Sequence, residues 1–373
     1  MEAPYSRFPA LPAAIGLASG VALQATPVAP AVLCGVGVVA AVAALWFWSR
    51  DRFFATAPAA LLIGMAVALA AAGGTPEPEA PPARAVIADA LYLSPMSGPA
   101  AAFAATTIVA DDTYLTHALR SDFRGSGLAH LLALSGFHVG VVAMIAIWLT
   151  TPMMLAGRAR HARWAVVLAA VWAFALLGGM RPSLLRASVM CTMLLASRCL
   201  GRYNSPLNSL AVAAIVILLL RPSAISDVGF RLSFAAVIGI LVFAPALNPF
   251  ADSRPWLKSL GAAVAVPLSA TLTTAPIVAA TFGTFPLLFL PANIVASVLF
   301  TPFYALALAV AALTASGIPC GFPAWCADTL YGMIAGAASL LNHSCEVRFG
   351  AVAAAVCWIM ISAVALRLLI KKG

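Results

Sequence analysis

Apolar runs of nearly 20 residues recur along most of the chain, divided by short polar turns. Each is long enough to cross a hydrocarbon core of about 30 Å. None alternates in the manner of barrel strands, so the pattern predicts helices that satisfy their own backbone hydrogen bonds in lipid. Three spans are expected first, at 10–25, 28–48 and 55–73. A span beginning at Gly125 follows, and then others at 164–178, 183–200, 206–220, 228–246, 260–282, 287–315, 322–341 and 350–370. The expected fold is all-α, a polytopic transmembrane bundle of twelve passes. The 322–341 segment carries Asp328 and many small residues, and lying flat at the interface would reduce the passes to eleven. Pro267, Pro276, Pro286, Pro291 and Pro302 predict broken helices in the last third.

Residues 74–124 interrupt the pattern. "GGTPEPEAPPARA" is rich in proline and acid, and Asp89, Asp111, Asp112 and Asp122 follow. This reads as a short acidic extracytoplasmic linker or interfacial segment. The chain thus divides into three N-terminal helices (1–73), this segment (74–124) and a membrane domain (125–373).

The run "GSGLAHLLALSGFHVGVVA" is apolar enough for lipid yet holds His130, Ser135 and His138. Placed on one helix at about 100° per residue, Ala129, Ala133, Gly136, Gly140 and Ala143 share a stripe. Such stripes let helices approach closely in membranes, so Ala129, Ala133 and Gly140 are packing candidates. Ser135 and His138 lie opposite and line a polar interior in this reading. Ser135-Gly136 is also a plausible break. A two-histidine metal site lacks further ligands at helical spacing, so no metal is expected. A Ser-His hydrolase lacks an acidic orienter nearby, and no enzyme activity is expected.

Composition supports the membrane reading: 63% of residues are hydrophobic and 9% charged. The net charge of +9 fits lysines and arginines gathered in cytoplasmic loops. "SRDR", "GRARHAR", Arg198, Arg202, Arg254, Lys258 and the final "KK" all fall inside when both termini are cytoplasmic. Arg7 and the apolar run after it mimic a signal peptide without a cleavage site, and read as a retained helix. The seven cysteines read as small buried hydrophobes; Cys320, Cys326 and Cys345 can pair only on an oxidising face. No P-loop is present, and no cofactor is expected.

Four arginines resist the inside rule. Arg181, Arg186, Arg221 and Arg231 fall at or just below the extracytoplasmic face in this topology. An arginine at the bilayer centre costs at least about 2.5–3.5 kcal/mol, so cations kept there point to an anion. Asp227 sits four residues before Arg231, where it can pair with it or cap the next helix. Phe230 and Phe234 offer stacking faces or core packing, and single strands are held by basic grooves with aromatics. Ser269, Thr271, Thr273 and Thr274 beside Pro276, and Asn293 beyond Pro291, can bond carbonyls freed by proline or line a wet path.

"FRGSGLAHLLALSGFHVGVVA" resembles the signature helix of the ComEC competence family of inner-membrane DNA-internalisation channels. "RPSLLRASVM", "SPLNSLAVAAIVILLLRPSAISDVGFRLSFAAVIGIL" and "TTAPIVAATFGTFPLLFLPANIVAS" resemble further family blocks in the same order, over roughly residues 110–345. The resemblance implies a channel for one strand of transforming DNA. It carries over His130, Ser135, Gly136, His138, Arg181, Arg186, Asp227, Phe230, Arg231, Ser233, Pro276 and Asn293 as lining or DNA-contact positions, and chemistry adds Thr274. Members often carry an OB-like domain before the signature helix and a metallo-β-lactamase-like domain after the membrane part. Here 74–124 takes the first place, and no His-x-His-x-Asp-His cluster is found. The expected partners are therefore single-stranded DNA, a separate extracytoplasmic DNA receptor and nuclease, a cytoplasmic motor or helicase, and the lipid bilayer. The competing expectation is a secondary transporter of another anionic solute or an envelope precursor.

Overall fold

A computed structural model describes residues 10–24, 81–155, 159–199, 205–250, 253–342 and 344–346, with 357, 360, 361 and 364. The spans expected at 28–48 and 55–73, the "SRDR" turn, Cys34, Arg202 and nearly all of 350–370 lie outside these residues. The architecture is all-α. In chain order the helices are α1 (Leu11–Gln24), α2 (Pro82–Tyr92), α3 (Gly98–Val109), α4 (His117–Gly125), α5 (Ala129–Leu132), α6 (Gly136–Leu149), α7 (Ala159–Leu177), α8 (Pro182–Cys199), α9 (Pro206–Leu220), α10 (Val228–Leu247), α11 (Pro255–Phe282), α12 (Phe289–Ala315) and α13 (Gly321–Leu340). Strands β1 (Thr284–Pro286) and β2 (Ser344–Glu346) form one antiparallel pair, with Phe285 opposite Cys345. Prolines open α2, α8, α9 and α11, where the missing N–H would have had no intrahelical partner.

Among the described residues, α10, α11 and α12 are long and apolar enough to cross a membrane, and α3, α6 and α9 are shorter apolar helices. The protein is a membrane protein. The chain falls into two units. The first holds α1 and Leu185–Phe234. In it α1 packs on α9, and the Ala10 N–H donates to Asn208 Oδ1 at 2.8 Å.

The second unit holds the described part of Glu79–Leu184 and the residues from Ala235 onward. Its centre is the α12–α13 hairpin, joined by a short turn and tied at its open end by the β1–β2 pair. Phe103, Phe123, Phe300, Phe303 and Tyr304 are fully buried there. Phe103 lies 5.2 Å from Phe303 and 5.5 Å from Tyr331 between ring centres. The region expected to be linker or interfacial holds three helices, and α3 is buried from Ala100 through Val109. Ten small or apolar residues in "AAAFAATTIV" allow this, because Thr106 and Thr107 return their hydroxyls to the carbonyls of Ala102 and Phe103. Cys320 and Cys326 are free thiols.

Candidate functional site

The signature stretch is two helices with a break between them. Ser126 and Gly127 turn the chain out of α4, and Gly127 sits at φ +82. A Cβ there would lie 2.9 Å from Phe289 Cβ and 3.0 Å from Pro286 Cγ, so only glycine fits both the backbone and the space. α5 ends at Leu132, Ala133 is extended, and Ser135 at φ −128 is the N-cap of α6. The continuous helix assumed for the stripe is therefore corrected. Ala129, Ala133 and Gly140 are exposed, and nothing lies within 4 Å of a Cβ built on Gly140. The break rotates the α5 residues out of register with α6, so this set buries no helix contact among the described residues.

The break is held from both sides. The Ser183 hydroxyl donates to the Leu134 carbonyl at 2.7 Å, supplying the partner that an unbroken helix would have given. Gly178 lets Leu134 and Leu184 pack where a Cβ would meet them at 2.7 and 2.3 Å. On the other side the Ser135 N–H donates to His138 Nδ1 at 3.1 Å, with Ser135 Oγ 3.0 Å from the same nitrogen. Histidine thus fills the place that Glu or Gln takes in a capping box. Because Nδ1 accepts, the proton of the neutral ring is on Nε2. That nitrogen is buried without a hydrogen-bond partner, as is the Tyr304 hydroxyl. The His138 ring lies 5.1 Å from Phe300 and 5.4 Å from Tyr304, edge to face.

His138 has no exposed surface. Ser135 and Gly136 are partly buried at the break, and His130 is exposed with Nδ1 3.3 Å from the Gly127 carbonyl. Pro276 is buried. Thr274 and Asn293 are partly buried and return to the carbonyls of Ala270 and Phe289, at 2.9 and 2.7 Å. The α11 hydroxyls do not serve the carbonyls of Ala263 and Leu272, which Pro267 and Pro276 free. Instead Thr273 Oγ1 donates to the Ala235 carbonyl of α10 at 2.8 Å, and Ser269 donates to Ala265 at 2.6 Å. Both are buried at the α10–α11 contact, where Gly239 admits them.

In the first unit, Arg186 is buried at 6% exposure. Its Nη1 donates to the Ser233 carbonyl, and its guanidinium carbon lies 5.9 Å from the Phe234 ring centre. Phe230 and Phe234 stack at 4.3 Å and are buried, so they pack the core and offer no open face to a base. Asp227 and Arg231 are both exposed and do not pair. Asp227 Oδ1 accepts the Gly229 N–H at 2.6 Å and caps α10, while Arg231 Nη2 donates to the Ser226 carbonyl at 2.6 Å. Arg181, in the second unit, is exposed. Among the described residues the only ion pair is Arg120–Asp112, at 2.6 Å, so Arg181, Arg186, Arg221 and Arg231 pair with no described carboxylate. No described cluster of three or more His, Cys, Asp or Glu can hold a metal ion.

Ser183, Tyr304 and Gly239 were missed in sequence. Ser183 sits one residue past the opening proline of α8, which signals an N-terminal turn but not a bond to another helix. Gly239 is a lone glycine in an apolar span, without the paired spacing that marks a close contact.

The sequence profile of the family described as Competence protein matches residues 107–372. "ComE operon protein 3" of Bacillus subtilis (strain 168) is 28% identical over 196 residues, 52% of this chain and 24% of that protein. The matched stretch is thus about a quarter of the relative's length. No solved structure matches. The family profile covers most of the chain's length, and the chain belongs to the competence protein family.

Proposed function

We propose that this chain is a multi-pass channel of the cytoplasmic membrane that carries single-stranded DNA inward. The observation that supports it most is a set of arginines that pair with no described carboxylate. Arg186 is buried with one backbone acceptor and one aromatic face, and Arg181 and Arg231 are exposed without a carboxylate. A lone buried guanidinium costs about 2.5–3.5 kcal/mol, and backbone carbonyls offset only part of that. A phosphate arriving beside it supplies the missing charge and accepts its free donors. A strand offers one such anion per nucleotide.

Other groups take supporting parts. Ser135, His138 and Ser183 fix the break in the signature helix, and so position the exposed residues before it, His130 among them. Capture of DNA outside, degradation of the second strand and pulling from the cytoplasm are assigned to partners: an extracytoplasmic receptor, a nuclease, and a motor or helicase.

The test is uptake of end-labelled DNA into a nuclease-resistant cytosolic pool. Deleting the gene should abolish uptake, and Arg186→Gln or Arg181→Gln should lower it several-fold, with Arg→Lys restoring part. Unchanged uptake in the deletion strain refutes the proposal. An envelope defect without an uptake defect favours a transporter of another anion.

A further inference from the structure

We propose that residues 82–112 form a re-entrant helical hairpin, whose tip lies past mid-depth of the bilayer beside Asp328 and opens to a cytoplasmic vestibule. The placement is read within the second unit alone. The base of the hairpin lies at the open end of α12–α13, where β1 and β2 pair. There Asn342 Nδ2 donates to Asp122 Oδ1 at 2.9 Å, and Gly127 abuts Pro286 and Phe289. The two arms meet near that end too, since Arg84 Nη2 donates to the Ala110 carbonyl at 2.6 Å. The tip is elsewhere. The N–H and hydroxyl of Ser97, at the start of α3, both donate to the Asp328 carboxylate at 3.0 Å. Asp328 precedes Asn342 by fourteen residues, so the tip lies about 21 Å along α13 from the base. The length of α3, about 18 Å, agrees. Midway, Phe103 packs on Phe303 and Tyr331, in the middle of α12 and α13. Against a core of about 30 Å, that depth is beyond the centre.

The turn is built for such a place. Irregular backbone at membrane depth survives only where its polar groups are met by protein or by a wet cavity. Every N–H from Leu93 to Ser97 is met: Leu93 by the Asp89 carbonyl, Ser94 by Leu91, Met96 by Ser94 Oγ and Ser97 by Asp328, while Pro95 has none. The carboxylate also sits against the positive end of α3. Yet Ser97, Gly98 and Pro99 are exposed and Asp328 is only partly buried. An ionised group open at that depth requires water rather than lipid. The turn between α12 and α13 lies on the tip's side of Asp328, as does the start of α11, whose Arg254 and Lys258 assign that side to the cytoplasm by positive-inside bias. Residues 82–106 of the hairpin precede the family-matched span, while 107–112 and Asp328 lie within it.

The experiment is sided cysteine labelling of the full chain, read by peptide mass spectrometry with the native cysteines left in place. Gly98→Cys probes the tip, because an added Cβ there meets nothing within 4 Å. Thr113→Cys, exposed after α3, probes the base. With a membrane-impermeant maleimide, intact spheroplasts should label Thr113→Cys and not Gly98→Cys; inverted vesicles should give the reverse. Labelling of Gly98→Cys from outside overturns the hairpin. No labelling from either face overturns the vestibule, and reversed labelling of both overturns the assigned side. None of these outcomes depends on the cargo being DNA.

Discussion

Two glycines in different helices separate the sequence pattern from the packing. Gly140 belongs to a GxxxG and looks like a helix contact; Gly239 stands alone in "AVIGILVF" and looks incidental. In the fold their roles are reversed. A Cβ at 239 would lie 2.3 Å from Thr273 Oγ1 and 2.4 Å from the Ser269 carbonyl oxygen, where an ordinary contact begins at 3.4 Å. The hydroxyl can rotate, but the carbonyl is part of α11. Gly239→Ala therefore forces α11 back by roughly 1 Å in an interior with few voids to absorb it. The strain of overpacking is about 1–3 kcal/mol. The same shift stretches the Thr273–Ala235 bond, and an interhelical hydrogen bond in a membrane is worth about 0.6–1.7 kcal/mol. A better helix former returns up to about 1 kcal/mol. The expected net loss is about 1–4 kcal/mol. Gly140→Ala meets nothing and gains the propensity alone, so it should be neutral or stabilising by up to about 1 kcal/mol.

The assay is reversible unfolding of the reconstituted protein in an SDS titration, followed by tryptophan fluorescence. Adding Thr273→Ala to Gly239→Ala should recover only part of the loss, because the Ser269 carbonyl remains. If Gly140→Ala costs as much as Gly239→Ala, the packing argument is refuted and the stripe reading returns. If Thr273→Ala restores full stability, the backbone clash is not the cause.

Other substitutions test the site. Ser183→Ala leaves the buried Leu134 carbonyl at the break without its donor and should cost about 1–3 kcal/mol in the same titration. Tyr304→Phe removes a buried hydroxyl that has no partner, so stability should hold or rise by up to about 1 kcal/mol; a clear loss shows that a water holds it. Arg186→Met removes a charge without a counter-ion and should stabilise by about 1–2 kcal/mol while lowering DNA uptake. A variant that is both less stable and fully active refutes the anion role.

How much of this was legible depended on whether a feature was local. The helical class followed from run length and from the absence of alternation, because lipid leaves few backbone solutions. The break at Ser135-Gly136 was visible in its residues: a serine N-cap, a glycine and a polar residue three positions on. Asp227 was legible as a cap for the same reason. What failed was projection across the break. Ala133 and Gly140 share a stripe only if residues 133–135 are helical, and the bond from Ser183 to Leu134 has no trace in local spacing. In the segment 74–124, expected as a linker or interfacial segment, the prolines around 75–82 gave no sign that "AAAFAATTIV" is a buried helix whose neighbours lie some 200 residues away. Of the two roles open to Asp227, the cap is the one formed: Asp227 and Arg231 have the right interval to pair, but each found a backbone partner closer at hand.

These local bonds bear on function through what they leave unpaired. Had Asp227 neutralised Arg231, the cation of that turn would have been consumed by the fold. Because the carboxylate is instead committed to the Gly229 N–H and the first turn of α10, the guanidinium keeps its charge uncompensated and gives only one hydrogen bond to Ser226. Arg186 follows the same logic in a buried setting, holding a carbonyl and an aromatic face but no described acid. A chain with few carboxylates can place them at helix termini, as with Asp227 on α10 and Asp328 on α3, where backbone dipoles satisfy them. Capping the acids this way leaves the arginines available to an anion from outside the chain. The test is to free a carboxylate: Gly229→Pro removes the N–H that holds Asp227, allows it to turn to Arg231, and should lower DNA uptake without removing any arginine.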